Sequence, residues 1–177
     1  MTRLPPAWLL TPVVLVASTS GYAVDYLTVQ QAQAVILPDR ALSEVKIRLS
    51  SDQRKAIQAA AGLRVRNESL NAWRAASGEW FLVDEVLGKH EFITYACGIA
   101  PDGSIVGIEI LSYRETYGGE IREPRWRSQF VGKTAGAPLK LDQDIKNISG
   151  ATLSCRHVSD GVKRLLATHA LVLKTLR

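Results

Sequence analysis

The sequence predicts an α+β fold in which a small antiparallel sheet is flanked by helices. The middle of the chain holds segments rich in β-branched and aromatic residues, at positions 80–83, 92–97 and 105–111. The last two are separated by Pro101-Asp102-Gly103, a sequence that favours a tight turn and therefore an antiparallel hairpin. Towards the C-terminus, apolar residues recur every three or four positions, as they do in an amphipathic helix.

Two short helices are expected before these strands. The capping-box sequence at residues 28–31 begins a helix that ends before Pro38. Residues 51–54 begin a second helix, and Gly62 fits the position that follows its last turn. A third and longer helix is expected at residues 155–176.

Composition favours a globular protein over several other classes. The chain has 177 residues, of which 46% are hydrophobic and 22% are charged. With a mean hydropathy of +0.01, the chain is neither disordered nor a bundle of membrane spans. The net charge is +5, but the basic residues are spread evenly, so we expect no nucleic-acid partner. Two cysteines and three histidines lack metal-ligand spacing, so no metal site is predicted.

Residues 1–23 have the pattern of an export signal, which leaves residues 24–177 as a single domain. Arg3 provides a positive start, residues 7–17 are mostly apolar, and Gly21-Tyr22-Ala23 places small residues before a cleavage site. The apolar stretch is shorter than the roughly 20 residues that cross a bilayer, although an uncleaved membrane anchor is the alternative. We therefore expect a periplasmic or otherwise extracytoplasmic protein in an oxidising compartment.

The strongest candidate site lies between a predicted loop at residues 114–144 and the last helix. Residues 148–154 are Ile-Ser-Gly-Ala-Thr-Leu-Ser, a turn rich in hydroxyl groups in which Gly150 lets a bound group approach the backbone. The N-terminus of the following helix would favour a phosphate through its free N–H groups and its dipole. In the structural alternative, Gly150 only turns the chain and Ser154 caps the helix.

Ser149-Gly150-Ala151-Thr152, together with the basic and apolar helix after it, resembles the FMN-binding domain family. That family includes the covalently flavinylated subunits of sodium-translocating NADH:quinone reductases and of Rnf-type complexes. In those proteins a dedicated flavin transferase joins FMN through its phosphate to a hydroxyl residue of a Ser/Thr-Gly-Ala-Thr/Ser sequence. The resemblance covers roughly residues 92–167 and implies that Thr152 is the attachment residue, with Ser154 the second candidate. The family's aspartate before this motif is replaced by Lys146, with Asp144 two residues earlier.

Upstream segments strengthen this resemblance. Glu115-Thr116-Tyr117-Gly118 resembles the family's Glu-Thr-Pro-Gly loop, with Tyr117 in place of proline, and Trp126, Phe130 and Gly132 match the family's spacing. A flavin ring needs an aromatic or apolar wall and a few polar groups. We expect Glu115 and Thr116 to supply the hydrogen bonds, and the wall to come from four aromatic residues: Tyr113, Tyr117, Trp126 and Phe130. Ordinary core packing is the alternative for the last two, and a solvated carboxylate is the alternative for Glu115.

The remaining candidates are charged, histidine and cysteine side chains. Arg156 or Lys163 could neutralise a phosphate, and His157 is expected at the surface or as a helix cap. The chain has two cysteines, Cys97 and Cys155, and is expected to be exported. The two alternatives are therefore a disulfide between them and two free thiols.

The resemblance implies an extracytoplasmic electron carrier that holds FMN, covalently, on Thr152. Its expected partners are a flavin transferase during maturation and a membrane or periplasmic redox protein during turnover. A non-redox module that binds FMN or another ligand, for example as a sensor, is the alternative, and a flavoenzyme that reduces a small substrate is a third. Flavin that survives denaturation would separate the covalent carrier from the binding module.

Overall fold

The computed structural model describes residues 24–176 of the chain. Within this range, helices lie on both faces of a seven-stranded antiparallel sheet, which confirms the predicted α+β class. In chain order the strands are β1 (Val24–Asp25), β2 (Leu42–Glu44), β3 (Ile47–Arg48), β4 (Ser69–Ala75), β5 (Trp80–Leu87), β6 (Phe92–Ile99) and β7 (Ile105–Tyr113). The helices are α1 (Val29–Ile36), α2 (Ser51–Ala61), α3 (Pro124–Arg127) and α4 (Thr152–Leu171).

The sheet is built from hairpins, and its strand order is β1-β7-β6-β5-β4-β2, with β3 also paired to β4. The predicted hairpin of β6 and β7 is confirmed, and Gly103 occupies its turn with φ +93°. A side chain would be strained at that backbone angle, so glycine suits this turn. The structure contains four further strands, β1, β2, β3 and β4, which the sequence analysis did not predict.

The two faces of the sheet are buried against different helices. Because side chains alternate along a strand, Leu82 of β5 packs into the core shared with α2 and α4, whereas its neighbour Phe81 packs against α1. Helix α4 also spans β5 and β6, and the Arg164 guanidinium on it binds the Asp84 carboxylate of β5. Among the described residues, no helix combines the length and apolar character that crossing a membrane requires.

Helices α1 and α2 begin and end where the sequence predicts. Thr28 caps α1, and its hydroxyl accepts from the Gln31 N–H while the Gln31 side chain accepts from the Thr28 N–H. Ser50 and Gln53 form the same reciprocal pair at the start of α2. Gly62 ends α2 in the left-handed conformation at φ +72°.

The long loop predicted at residues 114–144 is partly helical. It contains α3 and two single-turn 3₁₀ helices, at Gly119–Arg122 and Ser128–Phe130. The predicted export signal at residues 1–23 lies outside the described residues.

Candidate functional site

A cleft of about 580 Å³ lies at the N-terminus of α4. Three segments that are distant in sequence form its walls: the β5–β6 turn, the loop after β7, and the turn that enters α4. The lining residues are Lys89, His90, Glu115, Thr116, Tyr117, Gly150, Ala151, Thr152, Leu153 and Ser154. The structure therefore brings together the two segments that the sequence analysis singled out, Glu115–Tyr117 and Gly150–Ser154.

Helix α4 begins at Thr152, almost one turn before the expected start at Cys155. Its N-cap is Ala151, which has no side chain that can accept a hydrogen bond from the first turn. The expected N-cap role of Ser154 is therefore wrong. The uncapped N-terminus leaves the positive end of the helix dipole beside the cleft.

Thr152 presents its hydroxyl at the entrance to the helix. The side chain is exposed, and its Oγ1 accepts a hydrogen bond of 2.9 Å from Nδ2 of Asn147. The preceding Gly150 has φ +82°, and a Cβ added there would meet no atom within 4 Å. The space beside the Gly150 Cα, two residues before Thr152, is thus open.

Tyr113 joins the loop after β7 to the first turn of α4. Its buried hydroxyl donates to the carbonyl oxygen of Tyr117, and its oxygen lies 3.0 Å from Oγ of Ser154. Since Tyr113 has one proton to donate, Ser154 is the donor in the second bond. Gly118 packs closely against Ala151 in the turn before α4. A Cβ added at Gly118 would lie 2.7 Å from Cβ of Ala151. Only a glycine lets the loop and the turn pack this closely.

Glu115 holds the β5–β6 turn against the loop. Its Oε1 accepts from the backbone N–H of His90 at 2.6 Å and from that of Glu91 at 3.1 Å. Burial raises the pKa of this carboxyl, but hydrogen bonds from the N–H groups of His90, Glu91 and Lys89 outweigh it and leave the pKa below its ordinary value. Glu115 is therefore an ionised side chain that shapes the cleft wall, and this oxygen is already engaged within the protein.

The cleft-forming part of the chain is similar to a known family. Residues 88–167 match the FMN-binding domain family. This match confirms the resemblance seen in the sequence, and it includes every residue that lines the cleft. No curated protein matches the chain.

Two solved structures share the fold of this chain. The NqrC protein of Shewanella oneidensis is 16% identical with a TM-score of 0.56, and the match covers 80% of this chain and 86% of that one. A protein of Parabacteroides distasonis that belongs to the Na⁺-translocating NADH-quinone reductase is also 16% identical, with a TM-score of 0.53. That second match covers 85% of this chain and 87% of the other.

The aromatic residues of the region at residues 88–167 divide between the cleft and the core. Tyr117 is 80% exposed and lines the cleft, whereas Trp126 and Phe130 are buried and pack edge to face with ring centroids 5.1 Å apart. Trp126 does not line the cleft, and its Nε1 donates to the carbonyl oxygen of Lys146 at 2.9 Å. The expected wall role is therefore wrong for Trp126 and Phe130, and the core-packing alternative holds. Tyr113 is likewise buried beneath the cleft.

Cys97 and Cys155 are free thiols in the structure, so the disulfide alternative is not formed. Cys97 lies in the middle of β6 and Cys155 in the first turn of α4, and both are fully buried. Burial raises the pKa of Cys97 to about 12 and also raises that of Cys155, so both thiols stay protonated and unreactive. Within residues 24–176, no three His, Cys, Asp or Glu side chains converge as a metal site requires.

Sequence reasoning missed part of the cleft. Lys89 and His90 line it from the β5–β6 turn, and His157 supports that turn because its Nδ1 lies 3.2 Å from the carbonyl oxygen of Gly88. Asn147, which contacts Thr152, was missed as well. The contact between His157 and Gly88 joins residues that are far apart in sequence, so it leaves no local signal. Asn147 could have been found from the sequence, because it stands only five positions before the candidate hydroxyl of Thr152.

Proposed function

We propose that this protein is an extracytoplasmic electron-transfer flavoprotein that carries FMN joined through its phosphate to Thr152. The main support is the exposed Thr152 hydroxyl, which stands at the N-terminus of α4 on a cleft within the FMN-binding domain. Bound FMN supplies the electron-transfer chemistry, and the protein supplies position, polarity and access.

The residues around Thr152 fit a phosphate ester. The uncapped first turn of α4 offers backbone N–H groups and the positive end of the helix dipole. Lys89 lines the same cleft and adds a positive charge, and Arg156 is exposed one turn further along α4. No side chain at Gly150 obstructs the approach of the phosphate group.

The rest of the cleft fits the ring system of a flavin. Its volume of about 580 Å³ lies within the range of roughly 300–1,000 Å³ that small-molecule sites occupy. Tyr117 offers an exposed aromatic ring, Leu153 an apolar edge, and the exposed Thr116 a hydroxyl group for hydrogen bonding. Because Glu115 is engaged with the β5–β6 turn, its role is to fix the wall on which the ring would lie.

The partners and location of the protein form part of the proposal. One similar structure is a subunit of a Na⁺-translocating NADH-quinone reductase, which supports a redox protein at the membrane as electron donor or acceptor. A flavin transferase would attach the FMN. The export pattern of residues 1–23 supports a periplasmic or other extracytoplasmic location, through a cleaved signal or an uncleaved anchor.

The proposal is tested by coexpressing the chain with a flavin transferase and recording flavin fluorescence on a denaturing gel. We expect fluorescence in the unmutated chain and its loss in Thr152→Ala. Ser43→Ala is the control, because Ser43 is an exposed hydroxyl residue of β2 that does not line the cleft, and this variant should keep its fluorescence. Thr152→Ser should also keep it, since the hydroxyl remains.

Other outcomes of this experiment contradict the proposal in different ways. Fluorescence that persists in Thr152→Ala and disappears in Ser154→Ala would move the attachment to Ser154, although that hydroxyl is buried against Tyr113. No fluorescence in the unmutated chain, with a transferase active on a control substrate, would favour a non-redox binding module.

A further inference from the structure

Asn147 is hydrogen-bonded to the hydroxyl group to which the proposed function attaches FMN. Its Nδ2 donates to Oγ1 of Thr152 at 2.9 Å, and its Oδ1 accepts from the backbone N–H of Ile148 at 2.9 Å. The second bond fixes the orientation of the amide, because an N–H group can be met only by the amide oxygen. Nδ2 therefore faces Thr152, and within residues 24–176 no other side chain hydrogen-bonds Oγ1.

The backbone at Asn147 is held in place from the domain core. Lys146, the preceding residue, donates its N–H to Oε1 of Gln129 at 2.7 Å. The carbonyl oxygen of Lys146 accepts from Nε1 of the buried Trp126 at 2.9 Å. Both bonds join residue 146 to the segment around α3, so Asn147 is anchored on a packed part of the domain.

The acidic residue closest in sequence to Asn147 on its N-terminal side cannot take its place at Thr152. Oδ1 of Asp144 accepts from the Lys140 N–H at 2.8 Å, while Oδ2 lies 3.1 Å from the Leu139 N–H and 3.2 Å from Nζ of Lys133. Both oxygens are thus used to hold the turn at residues 139–144. The group presented to the Thr152 hydroxyl is a neutral hydrogen-bond donor.

We propose that Asn147 is a positioning residue for flavin attachment, which orients the Thr152 hydroxyl by donating a hydrogen bond to Oγ1. This inference rests on the proposed function. The bond occupies one lone pair of Oγ1 and leaves the second lone pair and the hydroxyl proton free to face the open cleft. A hydroxyl fixed in one rotamer reaches the attacking geometry more often than a freely rotating one.

The attachment step itself is a phosphoryl transfer. A hydroxyl forms a phosphate ester readily only from an activated phosphate, so the donor is a flavin nucleotide whose phosphate is part of a phosphoanhydride, as in a flavin adenine dinucleotide. The bond between Oγ1 and phosphorus forms and the anhydride P–O bond breaks. The nucleoside monophosphate leaves with the electron pair, and the hydroxyl proton passes to the transferase or to water. Nothing is oxidised or reduced.

The test compares initial rates of covalent flavin incorporation for the full chain and its variants, using purified transferase and flavin adenine dinucleotide. For Asn147→Ala we expect kcat to fall by roughly ten- to a hundredfold with little change in KM, because orientation is lost and binding is kept. Asn147→Asp is the sharper variant, since its carboxylate still accepts from the Ile148 N–H but has no proton to donate to Thr152. It should be slow at neutral pH, and its rate relative to the unmutated chain should recover as the carboxyl is protonated on acidification.

Circular dichroism and thermal unfolding show whether each variant is folded, and Ser43→Ala, at an exposed serine of β2 that does not line the cleft, serves as the control that keeps the normal rate. Folded Asn147→Ala and Asn147→Asp proteins that react as fast as the unmutated chain would overturn the inference while leaving Thr152 as the acceptor. An Asn147→Asp rate that exceeds the unmutated one and rises with pH would also overturn it, because a proton acceptor would then be what Thr152 needs. Failure of the proposed function is distinct, since the unmutated chain itself would then incorporate no flavin.

Discussion

At the scale of single residues, the Tyr113 hydroxyl decides how the two main walls of the cleft meet. It donates to the carbonyl oxygen of Tyr117 on one side and accepts from Ser154 on the other. Burial raises the pKa of Tyr113, so the hydroxyl stays protonated and able to donate at neutral pH. One buried oxygen thus connects the loop after β7 with the first turn of α4.

Tyr113→Phe is expected to lower the free energy of unfolding by about 1–2 kcal/mol, since it removes two hydrogen bonds and leaves their partners unpaired. The loop at residues 114–118 should also become more mobile. Tyr117→Phe is the matched control, because that ring is 80% exposed and the change should be nearly neutral. Urea unfolding measures both variants, and equal stabilities would show that the Tyr113 hydroxyl does not join the two walls.

Residue types explain which site predictions failed. Serine is a common N-cap residue, so the structural alternative placed Ser154 at the cap of the last helix. The structure differs because Tyr113 binds the Ser154 hydroxyl and α4 begins earlier. For Trp126, sequence spacing shows that an aromatic residue is present, but only packing shows that it lies in the core with Phe130.

At the scale of elements, α4 packs unusually close to the sheet at Gly161. A Cβ at this position would lie 2.5 Å from the Tyr95 hydroxyl and 2.7 Å from Cγ1 of Val86. The Tyr95 hydroxyl donates in turn to the Asp84 carboxylate, which also binds Arg164. The glycine therefore lets the helix approach a polar network that fixes it across β5 and β6.

Gly161→Ala should destabilise the protein even though alanine is the better helix former. Alanine gains about 1 kcal/mol in helix propensity, but forcing a methyl group into this contact costs about 1–3 kcal/mol. Tyr95→Phe removes the nearest of the obstructing atoms, the hydroxyl oxygen, so Gly161→Ala should cost at least about 0.5 kcal/mol less in that background. A double-mutant cycle in urea measures this difference. An identical cost in both backgrounds would show that the hydroxyl does not limit the helix approach.

The elements also show what local sequence can predict. Capping boxes and the Pro101-Asp102-Gly103 turn are local signals, and they placed α1, α2 and the β6–β7 hairpin correctly. Strand β4 was missed because Ser69–Ala75 lacks the β-branched residues that mark strands, and it becomes one by pairing with β5. Strands of two or three residues, such as β1 and β3, are too short to show any periodicity.

At the scale of the whole molecule, the fold creates a cleft that no single segment contains. The β5–β6 turn and the end of β7 lie near each other because their strands are joined through β6, and α4 begins beside both. The motif at residues 149–152 could be found from the sequence because it is contiguous. The contribution of Lys89 and His90 depends on the tertiary arrangement, which local patterns do not encode.

The location of the molecule is open to a direct test through its first residues. Strand β1 begins at Val24, whose backbone pairs with Tyr113 of β7, so cleavage after Ala23 would leave every described element intact. We expect the intact mass of protein purified from the periplasm to correspond to residues 24–177 with one FMN. Ala23→Phe should block cleavage, because a signal peptidase needs a small residue before the cut, and should keep the protein at the membrane. Unmutated exported protein that begins at Met1 would instead support an uncleaved anchor, and protein retained in the cytoplasm would contradict export.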